Sequence, residues 1–477
     1  LWGDPPYLTN TVNGMSSKIG IDEILETVDM IVYRHLNIRA VTLGLNVMAA
    51  ASSDPGDLRR GVASIIRERA SRLADVVEGV SAKYGIEIVN RRIALTPLAL
   101  VASPMVRAAG PGSREEELVA LAEDIDAAAA DVGVDLVGGY GALVQKGETA
   151  ADVALEESIP EALAATRRIC SAVNVADSRS GINVDAVLRM GRVISRTAEL
   201  SPGGKGEDCA RLMVLANAPD DNPFMAGGFH GIGTPDAAIN VGVSGPAVLL
   251  AAVKNSGGTD LTGLAEVIKG VAFKITRVGE LVGREVASKL GVEFGAVDLS
   301  LAPAPAEGES VAEVLEAMGL DATGLPGTVG AIMVLADSLK KGGAMAASRV
   351  GGFSGVMTPV SEDLGMARRA SDGSLGLGTL LAMSAVSATG TDMVPVPGDT
   401  PPEVLSSIIL DQMAIGIVTG KSVGVRLLPV PGARPGDRVD LGGLFGSGVV
   451  LDVPRRGASR LIARGGRVPP PVTSLRG

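Results

Sequence analysis

Residues 114–144 read REEELVALAEDIDAAAADVGVDLVGGYGALV. The first part, Arg114 to Val132, carries the pattern of an amphipathic helix, and Asp135 to Val144 reads as a buried strand. A helix that runs straight into an apolar, glycine-rich strand is the repeating unit of an α/β protein, in which buried parallel strands alternate with helices.

The unit recurs in both directions. Further strands are expected at Ile38–Val47, Glu87–Leu95, Ala172–Ala176, Arg211–Asn217, Ala237–Val243, Glu293–Leu301, Ala385–Val394 and Ser422–Val430. Helices are expected at Ile21–Tyr33, Asp57–Tyr84, Ile182–Leu200, Thr262–Leu290, Val311–Met318, Thr328–Lys341 and Pro402–Gly416. Gly270, Gly279 and Gly283 are expected to keep the longest of these from running straight. About ten strands with no dividing linker point to one large barrel or sheet over residues 18–430. Residues 1–17 then form an extension. After the turn-rich Pro429–Pro435, residues 431–477 hold a small hairpin (LGGLFGSGVVLDV) and a Gly/Pro-rich tail, both expected to pack back on the core.

Composition narrows the class. Of 477 residues 46% are apolar but only 2% aromatic, so the core is built by aliphatic packing of helices on strands. A net charge of -11 argues against nucleic acid or an anionic membrane surface as a partner. Mean hydropathy is positive, yet no run of about 18 apolar residues escapes interruption by Gly, Pro or charge. The opening residues lack the basic start and apolar run of an export signal, and a cytoplasmic location is expected. Two cysteines and two histidines exclude a disulfide scaffold, a Cys-rich zinc site and a multi-His metal site within one subunit. A metal, if bound, would be magnesium or calcium among oxygen ligands, with Glu362, Asp363 and Asp298 as candidates. Ser361-Glu362-Asp363 also reads as a helix N-cap.

The densest polar cluster is Asn217–Gly245, NAPDDNPFMAGGFHGIGTPDAAINVGVSG. It leaves one strand, passes through a glycine loop containing His230 and re-enters another strand ending at Ser244-Gly245. Here His230 is the candidate general acid or base, with Asp221, Asn222, Asn240, Ser244 and Gly245 orienting a ligand. Lys274 and Arg277, at i and i+3 in FKITRVGELVGR, are the candidate clamp for a carboxylate or phosphate, or equally a solvated helix face paired with nearby acids. Cys170 follows two arginines and is a candidate nucleophile, with Asn174 and Asn183 nearby in the same strand-to-helix connection; the other reading, and the more frequent case, is a buried free cysteine acting as a small hydrophobe. Gly465-Gly466, beside arginines, is a candidate anion nest. No P-loop, dinucleotide fingerprint, zincin motif or nucleophile elbow is present in the sequence.

Several of these stretches together resemble one family. NPFMAGGFHGIG, INVGVSGP, FKITRVGELVG, VSED, CSAVNV with SRSGIN, and ARGGRVPPP are similar to the uncharacterised protein family 0210, domain of unknown function 711, from about Ile21 to about Ser474. The resemblance implies a fold like that of pyruvate formate-lyase-type glycyl radical enzymes, a ten-stranded α/β barrel of two five-stranded parallel halves. In those enzymes a C-terminal glycine passes a radical to a cysteine at a hairpin tip inside the barrel, parts that Gly465-Gly466 and Cys170 would fill. This sequence departs from that pattern, because Arg464-Gly465-Gly466-Arg467 replaces Arg-Val leading to Gly-Tyr. The resemblance also implies a small ACT-domain partner.

The expected function is therefore an enzyme binding a small anionic metabolite inside the barrel, with lyase or acyl-transfer chemistry. The alternatives are a metabolite-binding regulator acting with the ACT-type partner, and a glycyl radical enzyme. A homodimer is expected from the aliphatic surface.

Overall fold

In the computed structural model the described residues are 29–34, 36–110 and 112–472. The expected extension 1–17, most of the helix expected from Ile21, and His35 lie outside them.

Strand β1 (Ile38–Leu45) is the centre of a large mixed sheet and is buried along its whole length. On one side it pairs in parallel with β2 (Arg91–Leu95), which is followed by β3 (Leu136–Leu143) and β4 (Ile169–Asp177). The short β5 (Gly181–Asn183) folds back on the end of β4, and β6 (Leu212–Ala216) extends the parallel set. On its other side β1 is antiparallel to β7 (Ala237–Val243), which continues in parallel into β8 (Glu293–Asp298) and β9 (Val350–Gly351). Farther along, β10 (Val394–Pro397) is parallel to β12 (Leu427–Val430), while β11 (Val423–Val425) is antiparallel to β6. Helices Arg114–Asp131 and Ala150–Ala165 connect successive parallel strands of the first set, as buried β-α-β crossovers require.

Three expectations are corrected in detail. The helix expected over Asp57–Tyr84 is two, Pro55–Ala70 and Leu73–Tyr84. The strand expected over Ala385–Val394 is largely turns, with ladder pairing only from Val394. There, Ser384 Oγ and the Thr391 amide both donate to Gln412 Oε1, so a side chain takes the place of a strand partner. Helix Leu261–Leu290 runs unbroken for 30 residues through its glycines. Gly279 and Gly283 face the sheet, where a Cβ would sit 2.5 Å from Val243 and 2.6 Å from Phe294, so they permit close packing and do not interrupt the helix. Finally, helix Pro402–Thr419 has the length and hydropathy to cross a membrane, but it packs on helix Val184–Leu200 as a core helix.

The C-terminal segment holds two short pieces of sheet. A hairpin of β13 (Arg438–Asp440) and β14 (Ser447–Val449) forms its own small sheet, and β15 (Arg467–Val468) adds to β5.

Between β6 and β7 the chain packs against one face of the sheet. Thr42 Oγ1 on β1 donates to Pro223 O at 2.8 Å. The strands yield this space through glycine. A Cβ at Gly44 would lie 2.3 Å from the His230 ring, one at Gly138 2.2 Å from Gly228 O, and one at Gly242 2.6 Å from the Phe224 ring. Phe224 and Ala226 there join Cys170, Met213, Phe353 and Met357 in an apolar cluster distinct from the main core.

Gly138→Ala is expected to destabilise the fold by about 2 kcal/mol or more, because the new methyl meets backbone that cannot step aside. Gly270→Ala, on a helix face with open space, is expected to stabilise it by about 0.5–1 kcal/mol. Denaturant unfolding of the two variants against the parent checks both signs.

Candidate functional site

The polar residues of the interior loop meet in a cleft lined by Asp220, Asp221, His230, Thr234, Asn240 and Arg349, with a volume of about 340 Å³. The structure thus brings Asp221, His230 and Asn240 together, but it uses their polar atoms to fasten the loop. His230 Nε2 is 2.7 Å from Pro235 O and 2.9 Å from Thr234 Oγ1, whose own proton goes to Gly231 O. Burial holds the imidazole below its ordinary pKa, so it is neutral at pH 7. Asp221 accepts from the Gly352 amide at 2.8 Å and Asn240 Oδ1 from the Ala296 amide at 2.9 Å. Asn222 closes a local turn on Phe224 through both ends of its amide. Ser244 donates to Ala302 O, and Gly245 leaves room for Ile275.

The expected clamp lies elsewhere. On helix Leu261–Leu290 the sheet-facing residues include Ala272, Ile275, Thr276 and Gly279, so Lys274 and Arg277 project from the outer half of the helix. Arg277 is 61% exposed and donates to Ala346 O at 3.1 Å. Helical periodicity made the pair adjacent. The burial of the opposite face turned it away from the interior.

Cys170 is buried, and that burial pushes its thiol up to about 11 against the opposing pull of Arg211, Arg92 and Arg426. The expected low-pKa nucleophile is therefore a protonated thiol at neutral pH. Gly465 and Gly466 are not its neighbours. Their segment pairs with β5, which folds on Ala176 at the far end of β4, about 20 Å of strand from Cys170. The Gly466 amide donates to Asp185 Oδ1. Asn174 accepts from the Ala218 amide, and Asn183 caps helix Val184–Leu200 while donating to Val144 O.

The three candidate metal ligands are also otherwise engaged. Asp298, pushed up to about 6 by burial, accepts from the Ser300, Phe353 and Ser354 amides. Asp363 accepts from Ser310 Oγ and the Val311, Gly365 and Met366 amides, capping helices Val311–Ala317 and Leu364–Ser371 together. Glu362 pairs with Arg426 at 3.2 Å. Among the described residues no group of three or more His, Cys, Asp or Glu could hold a metal ion.

A second, enclosed cavity of about 50 Å³ lies beneath the loop and contains charge that the sequence reading did not single out. Its lining includes Arg39, Arg92, Arg426, Glu362 and Asp392 among apolar groups such as Met213, Phe224 and Met357. Arg39 occupies a bulge where the β1–β7 register slips between Ile38 and Ala40, and a bulge redirects the extra side chain. Arg426, at the joint of β11 and β12, is held by Asp392 at 2.5 and 3.0 Å and by Glu362. Those two carboxylates outweigh its burial and raise its pKa. Both acids of the lining are thereby committed to one arginine. Arg92 is buried, its Nε has no hydrogen-bond partner and its Nη1 reaches only Pro223 O at 3.4 Å. Burial, and then the repulsion of Arg39, lower it to about 10, still cationic at neutral pH. The available signal was an arginine inside each of three apolar strands, IRAVTLGL, RRIAL and VGVRLLPV, where a charge is rarely buried unless something pairs with it.

Two measurements test these assignments. In the native chain at pH 8, iodoacetamide is expected to modify Cys170 and Cys209 far more slowly than in denaturant, since burial raises both thiols. For His230 the unfolded chain takes up a proton near pH 6.5 while the folded chain resists it, so the folded state loses stability as pH falls through and below that value. The stability gap between the parent and His230→Asn is therefore expected to narrow from pH 7.5 to 5, read as denaturation midpoints.

A sequence profile for "Uncharacterised ACR (DUF711)" matches residues 29–442. A UPF0210 protein of Desulforudis audaxviator is 51% identical over 457 residues, covering 96% of this chain and 99% of the relative. One from Methanopyrus kandleri is 52% identical over 454 residues, covering 95% and 99%. Among solved structures, the anaerobic ribonucleotide reductase of Thermotoga maritima in complex with dATP and CTP aligns over 82% of this chain and 74% of its own, with 8% identity and a TM-score of 0.38. With the family profile spanning most of its length and half of its residues shared with relatives of nearly equal extent, this chain belongs to the uncharacterised DUF711 (UPF0210) family.

Proposed function

We propose that the chain is an enzyme that binds a small anionic metabolite, bearing a carboxylate or phosphate, in the enclosed interior cavity, with Arg39 and Arg92 as the anion clamp. The observation that carries this reading is Arg92, a buried guanidinium with an unpartnered Nε facing a cavity whose carboxylates are already taken by Arg426. A desolvated, incompletely paired guanidinium is costly on its own, and a bound anion offsets that cost through charge-assisted hydrogen bonds. Arg426 adds a third cation, already oriented by Asp392 and Glu362. Near Arg39, Glu309 is pushed up to about 7 by burial despite that arginine, and is the group suited to proton transfer. Lyase or acyl-transfer chemistry is the reaction class we assign to this site.

The same reading takes the sheet to close around the cavity as a ten-stranded barrel of two parallel sets of five. Backbone hydrogen bonds beyond the regular ladders support it. Leu301 N to Gly355 O, Ala388 N to Val356 O and Val360 N to Asp392 O carry pairing from the β8–β9 edge towards β10, and β11 on β6 supplies the other seam.

Thermal unfolding against acetate, pyruvate, succinate and inorganic phosphate tests the clamp. At about a hundred times its dissociation constant a ligand adds roughly 2.7 kcal/mol of stability. One of these anions is expected to raise the wild-type transition, with the shift lost in Arg92→Met and kept in Lys274→Ala. A shift that survives Arg92→Met rejects the clamp.

A further inference from the structure

The cavity's walls differ in how firmly they are held. Seven lining residues belong to strands of the large sheet or to the loop between β6 and β7 and others to the segments that follow β8 and β9, but two, Leu444 and Phe445, come from the turn between β13 and β14. That hairpin is a separate two-stranded sheet with three residues in each strand. Its base is secured. Val439 and Val450 pack with Val430, and the Leu451 amide donates to Pro395 O at 2.9 Å. Its tip is not. Among the described residues, 441–446 make one hydrogen bond outside the hairpin, from Ser361 Oγ to Phe445 O at 2.8 Å. The turn also contains Gly442, Gly443 and Gly446, all at positive φ. The turn is thus a wall of the cavity with few hydrogen bonds to the body, and a segment with few ties opens at low cost.

We infer that the β13–β14 hairpin is the lid of the arginine cavity, latched by Ser361, and that Phe445 at its tip sets the length of ligand the closed cavity accepts. The second clause rests on the anion site proposed above, whereas the first does not. The latch also adjoins the site chemically, because Ser361 precedes Glu362, which holds Arg426. The closed volume admits only a few water-sized units, so a short acid fits beneath Phe445 and a longer one meets its ring.

Cys170 offers a readout that needs no ligand, since it shares an apolar cluster with Met213, Phe224 and Met357 of the lining. In a Cys209→Ala chain, iodoacetamide modification of Cys170 under native conditions is expected to accelerate at least tenfold in Ser361→Ala and in Phe445→Ala. Unfolding free energies of the same variants, measured in denaturant, are expected to account for less than that acceleration. Rates that track global unfolding alone overturn the lid. For the second clause, acetate, butyrate and hexanoate are titrated into wild type, Phe445→Ala and Arg92→Met. Wild type is expected to prefer the shorter acids and Phe445→Ala to accept hexanoate, with binding lost in Arg92→Met. An unchanged length preference in Phe445→Ala, with binding still lost in Arg92→Met, overturns the role of Phe445 and leaves the anion site standing. If wild type binds no acid and no phosphate, the anion site itself fails and the role of Phe445 with it.

Discussion

The structure depends on the chain filling its own interior with a loop. The segment between β6 and β7 lies against one face of the sheet, and the strands receive it where Gly44, Gly138 and Gly242 leave no side chain in the way. Interiors tolerate few voids, so a sheet face buried over this much area needs either large side chains or additional backbone against it. With 2% aromatic residues this sequence has little of the first. The polar residues of the loop follow from the same constraint, because buried backbone must have partners. Asn222, Asn240, Asp221 and His230 supply them, which is why a cluster that looks catalytic in sequence is largely hydrogen-bonded to main chain.

Charge inside the fold obeys a second rule, that a buried ion persists where it is paired. Arg426 satisfies it with Asp392 and Glu362. Asp298 and Asp363 satisfy it with rows of amides, and so act as organisers of loops and helix starts. Ser361-Glu362-Asp363 shows how tightly these tasks are packed. Consecutive side chains tie down the hairpin tip, neutralise an arginine and cap two helices, each pointing to a different neighbour. Arg92 is incompletely paired, and the functional reading rests on it.

Much of the architecture was legible in the chain. The stretch 114–144 announced a helix followed by a buried strand, and most other strands fall where short apolar runs predicted them, because burial on both faces demands continuous apolar sequence. The expected C-terminal hairpin is present for a similar reason, since its apolar residues need cover. The strand expected at Ala385–Val394 was misread because Thr391, with Ser384 just before the stretch, bonds to Gln412, a partner distant in the chain that local pattern does not reveal.

The site divided differently. Sequence by itself determined the α/β class, the glycine lining, the family and the residue types available for chemistry, since these follow from local periodicity, composition and motif order. Only the tertiary structure decided which of those residues share a space. It set Lys274 and Arg277 on the outer half of their helix and buried Cys170 as a thiol. It also gathered Arg39 and Arg92 from neighbouring strands and Arg426 from the joint of β11 and β12, more than three hundred residues on, around one cavity. The physical reason is that a side chain's direction depends on register, bulges and the face its element buries, and these are fixed by partners distant in the chain.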